Sequence, residues 1–181
     1  KDSQDICFVP DGDYGAFLER KLGRERLPKE GNFVTADGRI VGEHKGIVHY
    51  TIGQRKGLGI ALGHPVFVTA IRPDTNEVVL GENEDCFSDT LFAEDVNMVA
   101  EETFKPDKIY RGRIRYADPG ASCRVVLMED TTIKVSFMKP VRAITPGQAV
   151  VIYDGDRVVG GGTIKGACFA NCHSFYTSRL L

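Results

Sequence analysis

The sequence predicts a mainly β protein: a small central unit of α+β or all-β character, followed by a six-stranded antiparallel barrel. Three observations carry that expectation. Ile133, Val135 and Phe137 alternate with Lys134 and Ser136, the period of a strand with one buried face. Short runs of this kind recur at close intervals through the second half, which suits a small closed barrel. Asp37-Gly38 and Asp154-Gly155 fall between β-rich segments, where Asp-Gly favours a tight hairpin turn.

Residues 1–28 form the first unit of the reading. Asp5 and Cys7 share one side of an extended segment, with Ile6 and Phe8 on the other. Pro10-Asp11-Gly12-Asp13 is a turn whose last residue can cap a helix. Tyr14, Phe17, Leu18 and Leu22 then make one apolar helical face, and Gly23 suits the helix end. Residues 24–30 are charged, contain Pro28 and read as a linker.

The central unit is assigned to residues 29–88. Phe33-Val34-Thr35 and Arg39–Gly42 flank the Asp37-Gly38 turn as a hairpin, and Val66–Ile71 and Glu77–Gly81 form a second one across Arg72–Asn76. Between them, His44–Gly59 packs glycines, two histidines and Gln54-Arg55-Lys56 into a single stretch. Gly53, Gly57 and Gly59 allow positive φ, and the cations with exposed N–H groups could receive phosphate. Ile47–Ile52 fits helix or strand equally. The barrel is assigned to residues 89–181, with strands expected at Thr90–Ala100, Tyr110–Tyr116, Cys123–Met128, Thr132–Phe137, Gln148–Tyr153 and Arg157–Ile164. Residues 165–181 are either an extension or an edge element.

Composition narrows the function. The chain of 181 residues is 42% hydrophobic and 27% charged, as in ordinary globular proteins. It holds no apolar run near the ~20 residues of a membrane helix. A net charge of −2 argues that any nucleic-acid contact comes from local patches. Five cysteines without framework spacing favour a reducing compartment. Arg111, Arg113 and Arg115 alternate with Tyr110, Gly112, Ile114 and Tyr116, so one strand would line up three guanidinium groups about 7 Å apart. That spacing is near the phosphate spacing of a nucleic-acid strand. His44 and His49 lack carboxylate or cysteine companions at metal-ligand spacing, so they read as structural and no metal is expected. Cys168–His173 has the wrong spacing for haem attachment or a zinc site. Cys7, between Ile6 and Phe8, reads on its own as a small buried hydrophobe. Its neighbours Asp2, Asp5 and Asp11 would raise rather than lower a thiol pKa.

Taken together, Ser3–Phe8, His44–Gly59, Arg113–Tyr116, Pro140–Gln148 and Gly160–Gly162 resemble the tRNA-specific 2-thiouridylases, in that family's order and spacing from about residue 2 to about residue 164. The resemblance implies replacement of oxygen by sulfur at C2 of the wobble uridine of the tRNAs for Lys, Glu and Gln. It implies a barrel like the second domain of translation elongation factors. It makes Cys7 the persulfide carrier, which would pair in a disulfide with a cysteine of another domain or release hydrosulfide. It places tRNA contacts at Arg115, Tyr116 and Gln148. Gln54, Arg55 and Lys56, by their residue types within the central stretch, are the next candidates for RNA or active-site contact. The family's ATP-binding domain carries a Ser-Gly-Gly-x-Asp-Ser loop, which does not occur here. Lys1 is not an initiator, so the chain reads as a carboxyl-terminal portion, expected to be inactive alone and to bind no cofactor itself. An upstream sulfur-relay protein, a monomeric state, no membrane contact, and a bacterial cytosolic or eukaryotic mitochondrial setting complete the expectation. Two other readings stand beside it. One is a translation-factor-like RNA-binding barrel without chemistry, and the other a small cysteine enzyme that would need a base for Cys7.

Overall fold

The computed structural model describes residues 17, 20–23, 25, 27–100, 102–128 and 131–168. The candidate persulfide carrier Cys7 and the segment from 169 onward lie outside them. Near the start, Arg20–Leu22 are helical and Gly23 takes φ +81, the left-handed conformation that commonly ends a helix. The chain divides into two compact units between Cys86 and Phe87.

The first unit is a four-stranded mixed sheet. Its strands are β1 (Gly31–Val34), β2 (Ile40–His44), β3 (Phe67–Arg72) and β4 (Glu77–Gly81), in the order β2-β1-β4-β3. Both expected hairpins are present, β1 with β2 and β3 with β4. Gly38 takes φ +84 and donates its N–H to Thr35 O at 2.9 Å, as the Asp-Gly turn requires. The two hairpins join through a parallel pairing, with Asn32 opposite Glu77 and Val34 opposite Val79. Phe33, Val68 and Val78 are fully buried, and Tyr50, Leu58, Val66 and Leu80 complete their cluster.

The glycine-rich stretch is neither long helix nor strand. Ile47–His49 makes one 3-10 turn, and Gly53, Gly57 and Gly59 take φ +86, +75 and +70. Tyr50 and Leu58 anchor it in the core. Gly53 N–H donates to Val68 O at 2.7 Å and Gln54 O accepts from Val68 N–H at 2.9 Å. The loop thus pairs with the outer side of β3, satisfying backbone groups that an edge strand would otherwise expose.

His44 shows how tightly this unit is specified. It is buried, with its ring edge-on to Phe33 and Tyr50 at centroid distances of 5.5 Å each. Nδ1 accepts from Gly46 N–H at 3.0 Å, so Nε2 carries the hydrogen and donates to Asn76 O at 3.1 Å. The neutral ring satisfies both partners, and burial pushes its pKa below the ordinary 6.5. The unfolded chain therefore binds the extra proton more readily than the fold. The stabilisation is complete above pH 6.5 and declines as pH falls below it toward the folded value. We expect the denaturant midpoint of this unit to drop between pH 7 and 5, and a His44→Gln variant to lose most of that slope. An unchanged slope in the variant would assign the pH dependence to other groups.

The second unit is a closed barrel of β5 (Phe87–Met98), β6 (Tyr110–Arg113), β7 (Ala121–Leu127), β8 (Ile133–Arg142), β9 (Ala149–Asp154) and β10 (Arg157–Cys168). The order around it is β10-β5-β8-β7-β6-β9, with every neighbouring pair antiparallel. Leu91, Val125, Ile133, Val135, Val150, Ile152 and Ile164 fill the interior, none more than 1% exposed. The alternation read at Ile133–Phe137 holds, with Lys134 outside.

Several strands depart from the expected bounds: β5 starts at Phe87 rather than Thr90, and β10 runs past Ile164 to Cys168. β6 ends at Arg113 rather than Tyr116, because Arg115 O accepts Asp118 N–H at 3.2 Å and Asp118 Oδ1 accepts Gly120 N–H at 3.0 Å. That turn draws Ile114 inward and takes Arg115 off the strand, so the three arginines do not share one strand face. β8 runs past Phe137, through Pro140, to Arg142, and its pairing with β5 shifts register between Ser88 and Thr90. The bulge lets Pro140 sit where no ladder N–H is needed. No helix among the described residues is long and apolar enough to cross a membrane.

Candidate nucleic-acid interface

The antiparallel barrel brings two loops to one end. Arg113 at the end of β6 pairs with Val151 near the start of β9. The β6–β7 loop (114–120) and the β8–β9 loop (143–148) are therefore neighbours. Arg115 links them directly: its Nη2 donates to Arg142 O at 2.9 Å. A guanidinium has five N–H donors, so this anchor orients the group and leaves donors for an incoming acceptor. Arg115 itself is exposed. Next to it Tyr116 is 93% exposed, a ring with an open face and no packing role.

Gln148 reaches the same end from the other loop. Its N–H donates to Thr145 O at 3.3 Å, and its carbonyl accepts Ile164 N–H at 2.7 Å. Gly147, at φ +82, donates to Ile164 O at 2.8 Å. The backbone is thus pinned on both sides while the residue stays exposed. Just before it, Ala143 is buried at φ +56, a conformation costly for a residue with a Cβ. Thr145 Oγ1 donates to Ala143 O at 3.1 Å and helps hold that turn. Arg115, Tyr116 and Gln148 are brought together; Arg142, whose carbonyl seats Arg115, was missed because a backbone acceptor leaves no mark in side-chain pattern.

Gln54, Arg55 and Lys56 lie in the first unit. The Gln54 amide is engaged at both ends, Oε1 accepting from Thr51 N–H at 3.0 Å and Nε2 donating to Lys56 O at 2.9 Å. Gln54 shapes the loop, and Arg55 and Lys56 are the exposed groups it presents.

The described thiols are poorly placed for sulfur chemistry. Cys123 is fully buried in the barrel, and burial pushes its pKa up to about 12. Cys86 is 2% exposed, with Sγ 3.8 Å from Val68 O. Nucleophilic sulfur needs an accessible thiolate. No group of three His, Cys, Asp or Glu side chains able to hold a metal comes together among the described residues.

Comparison with known proteins matches this architecture unit by unit. A tRNA methyl transferase PRC-barrel domain model matches residues 15–82, and an aminomethyltransferase β-barrel domain model matches residues 88–164. In class, the chain is a tandem of these two β domains. It is 55% identical over 163 residues to a protein of Lachnoclostridium phytofermentans named tRNA-specific 2-thiouridylase MnmA, covering 90% of this chain and 45% of that one. A Clostridium botulinum protein of that name is 49% identical, covering 92% and 46%. One from Carboxydothermus hydrogenoformans is 49% identical, covering 91% and 44%. The chain belongs to the tRNA-specific 2-thiouridylase family, and it spans somewhat less than half the length of these relatives.

Proposed function

We propose that this chain is the RNA-holding, carboxyl-terminal portion of a tRNA-uridine 2-sulfurtransferase, with the barrel end at Arg115, Tyr116 and Gln148 gripping the substrate tRNA. The observation that carries this reading is the pairing of an anchored arginine with an open aromatic ring. Arg115 is oriented by Arg142 O, and Tyr116 is 93% exposed beside it. Single-stranded RNA is held by such groups, a guanidinium on phosphate or a base edge and a ring on a base face. Gln148 adds an amide at the same end, and Arg55 and Lys56 are separate candidate contacts on the first unit.

In this reading the tRNAs are those for Lys, Glu and Gln, and the reacting atom is C2 of the wobble uridine. ATP supplies activation of the C2 oxygen from a domain outside this chain, which holds no phosphate-loop sequence. Cys7 carries a persulfide received from a sulfur-relay protein. Its terminal sulfur bonds to C2 as the activated oxygen departs. A second thiolate, from the other domain, then attacks the Cys7 sulfur. The S–S bond of the adduct breaks, its electron pair stays with the sulfur on C2, and a protein disulfide forms. The burial of Cys86 and Cys123 argues against these two thiols in that role.

The test is titration of unmodified tRNA with the 181-residue chain and its Arg115→Ala variant across salt concentrations. Affinity that falls with salt, and is weaker by a further tenfold to hundredfold in the variant, is expected for removal of a charge-assisted hydrogen bond worth ~1.5–3 kcal/mol. Absence of binding at low salt would sink the reading. A barrel that binds RNA without chemistry is the second reading. Full persulfide transfer by a Cys7→Ser variant, within a protein carrying the other domain, would favour it.

A further inference from the structure

Three consecutive strands of the barrel carry cations and no acids. Strands β6, β7 and β8 carry Arg111, Arg113, Arg124, Lys134, Lys139 and Arg142 and no Asp or Glu. Beyond β8, its neighbour β5 carries Asp89, Glu94 and Asp95 and no Lys or Arg. With a net charge of −2 for the whole chain, this is a local cluster of cations rather than a global excess.

Register turns four of these cations into a stripe. Arg111 is opposite Ser122 on β7, so Arg124 lies one strand over and two residues further from the loop end. Arg124 is opposite Ser136 and Val126 opposite Lys134, so Lys134 repeats the same step onto β8. Arg113 follows Arg111 by two residues and abuts the loop that holds Arg115 and Tyr116. With ~3.4 Å per residue and ~4.8 Å between strands, each step is about 7–8 Å. All four alternate with buried neighbours and so face outward.

The upper end of the stripe is built rather than incidental. The guanidinium groups of Arg111 and Arg113 both lie 5.5 Å from the Tyr153 ring centroid. Gly120 packs against their side chains, where a Cβ would come within 2.8 Å of Arg111 Cγ and 3.0 Å of Arg113 Cγ. Nε of each is buried without an acceptor among the described residues. Arg111 is tied by Nη2 to Gly155 O at 2.8 Å and to exposed Asp156 at 3.4 Å. No carboxylate among the described residues pairs with Arg113, Arg124 or Lys134. Two like charges are thus held together on one ring, and Arg113 has no carboxylate to answer it, so their solvent-facing edges suit an anion that spans them.

We infer that the outer wall formed by Arg113, Arg111, Arg124 and Lys134 is a second RNA-binding surface, a phosphate track that carries the nucleic-acid backbone away from the loop end. It reads no bases, because it offers only cations at backbone spacing. It rests on the RNA-holding role proposed above and adds a site to it. Its contribution is to affinity and salt dependence, and the loop end keeps selectivity.

The experiment compares the 181-residue chain with an Arg124→Ala/Lys134→Ala double variant, Arg113→Ala and Arg115→Ala, titrating one unmodified tRNA transcript and one with its wobble uridine replaced by cytidine. Both positions of the double variant are exposed, and circular dichroism melting checks that its fold is kept. Removing one phosphate-binding cation lowers the slope of log affinity against log salt by about 0.7–0.9. The slope is expected to fall by about 1.5 in the double variant and by about half that in Arg113→Ala, equally on both transcripts. A double variant with the wild-type slope, while Arg115→Ala still weakens binding, overturns the track and leaves the loop-end reading intact. No binding by the wild type overturns both.

Discussion

Replacing Gly161 by alanine will cost the barrel roughly 1–3 kcal/mol, and more where the backbone has no room to shift. The reason is a clash with main chain rather than with yielding side chains. A Cβ on Gly161 would stand 2.3 Å from Val150 O, and on its neighbours Gly160 and Gly162 it would meet Asn97 O at 2.8 Å and Glu94 O at 2.6 Å. Those acceptors belong to β9 and β5, the two strands that β10 joins. A single methyl group therefore presses on the seam that closes the barrel. Gly166 is the control on the same strand, since a Cβ there meets nothing within 4 Å. Gly166→Ala should be neutral or stabilising by up to about 1 kcal/mol, through the unfolded chain. Urea unfolding decides it: equal midpoints for the two variants would show that the seam tolerates the methyl group.

The second large effect falls on binding and spares stability. Tyr116→Ala should weaken tRNA affinity by ~1–3 kcal/mol, the usual worth of one base stacked on an aromatic ring, or about fivefold to over a hundredfold. At 93% exposure the ring supports nothing in the fold, so the thermal midpoint should stay within about a degree or two of wild type. Tyr116→Phe separates the ring from its hydroxyl. Affinity retained in the phenylalanine variant is the signature of stacking, whereas equal weakening in both variants would assign the interaction to the hydroxyl and discard the base platform.

Local signals were legible and long-range ones were not. Asp37-Gly38 and Pro73–Asn76 announce their hairpins because a turn is specified by its own few residues, and the Ile133–Phe137 alternation announces a buried face. The parallel pairing of β1 with β4 has no such mark, since its partners are chosen by the core they bury and not by neighbours in sequence. Tyr110–Tyr116 alternates like one strand, yet the Asp118-Pro119-Gly120 turn overrides the alternation after Arg113. At the candidate interface, residue types pointed to Arg115, Tyr116 and Gln148, while the dependence of Arg115 on Arg142 O became visible only in space. The company of Gln54 pointed to binding, and the hydrogen bonds of its amide to Thr51 and Lys56, which shape the loop, became visible only in space. Arg124 and Lys134 carried a findable signal, outward positions on strands without a single acid, hidden by the near-zero charge of the whole.

The closure of β10 onto β5 sets the order in which this protein can be made. Thr90 pairs with Cys168 and Met98 with Gly160, so the first strand of the barrel waits for the last. At ~5–20 residues per second, synthesis of residues 87–168 takes roughly 4–16 s. A barrel of this kind folds in milliseconds to seconds once complete. During that wait the nascent chain carries two unsealed strands, β5 and β9, each a template for pairing with another copy. The sheet of residues 31–81, whose strands all precede Cys86, emerges whole well before. Ribosome stalling or truncation ahead of Arg157 should therefore yield a soluble first unit attached to an aggregating remainder, making the glycine-rich final strand the step at which production of the protein succeeds or fails.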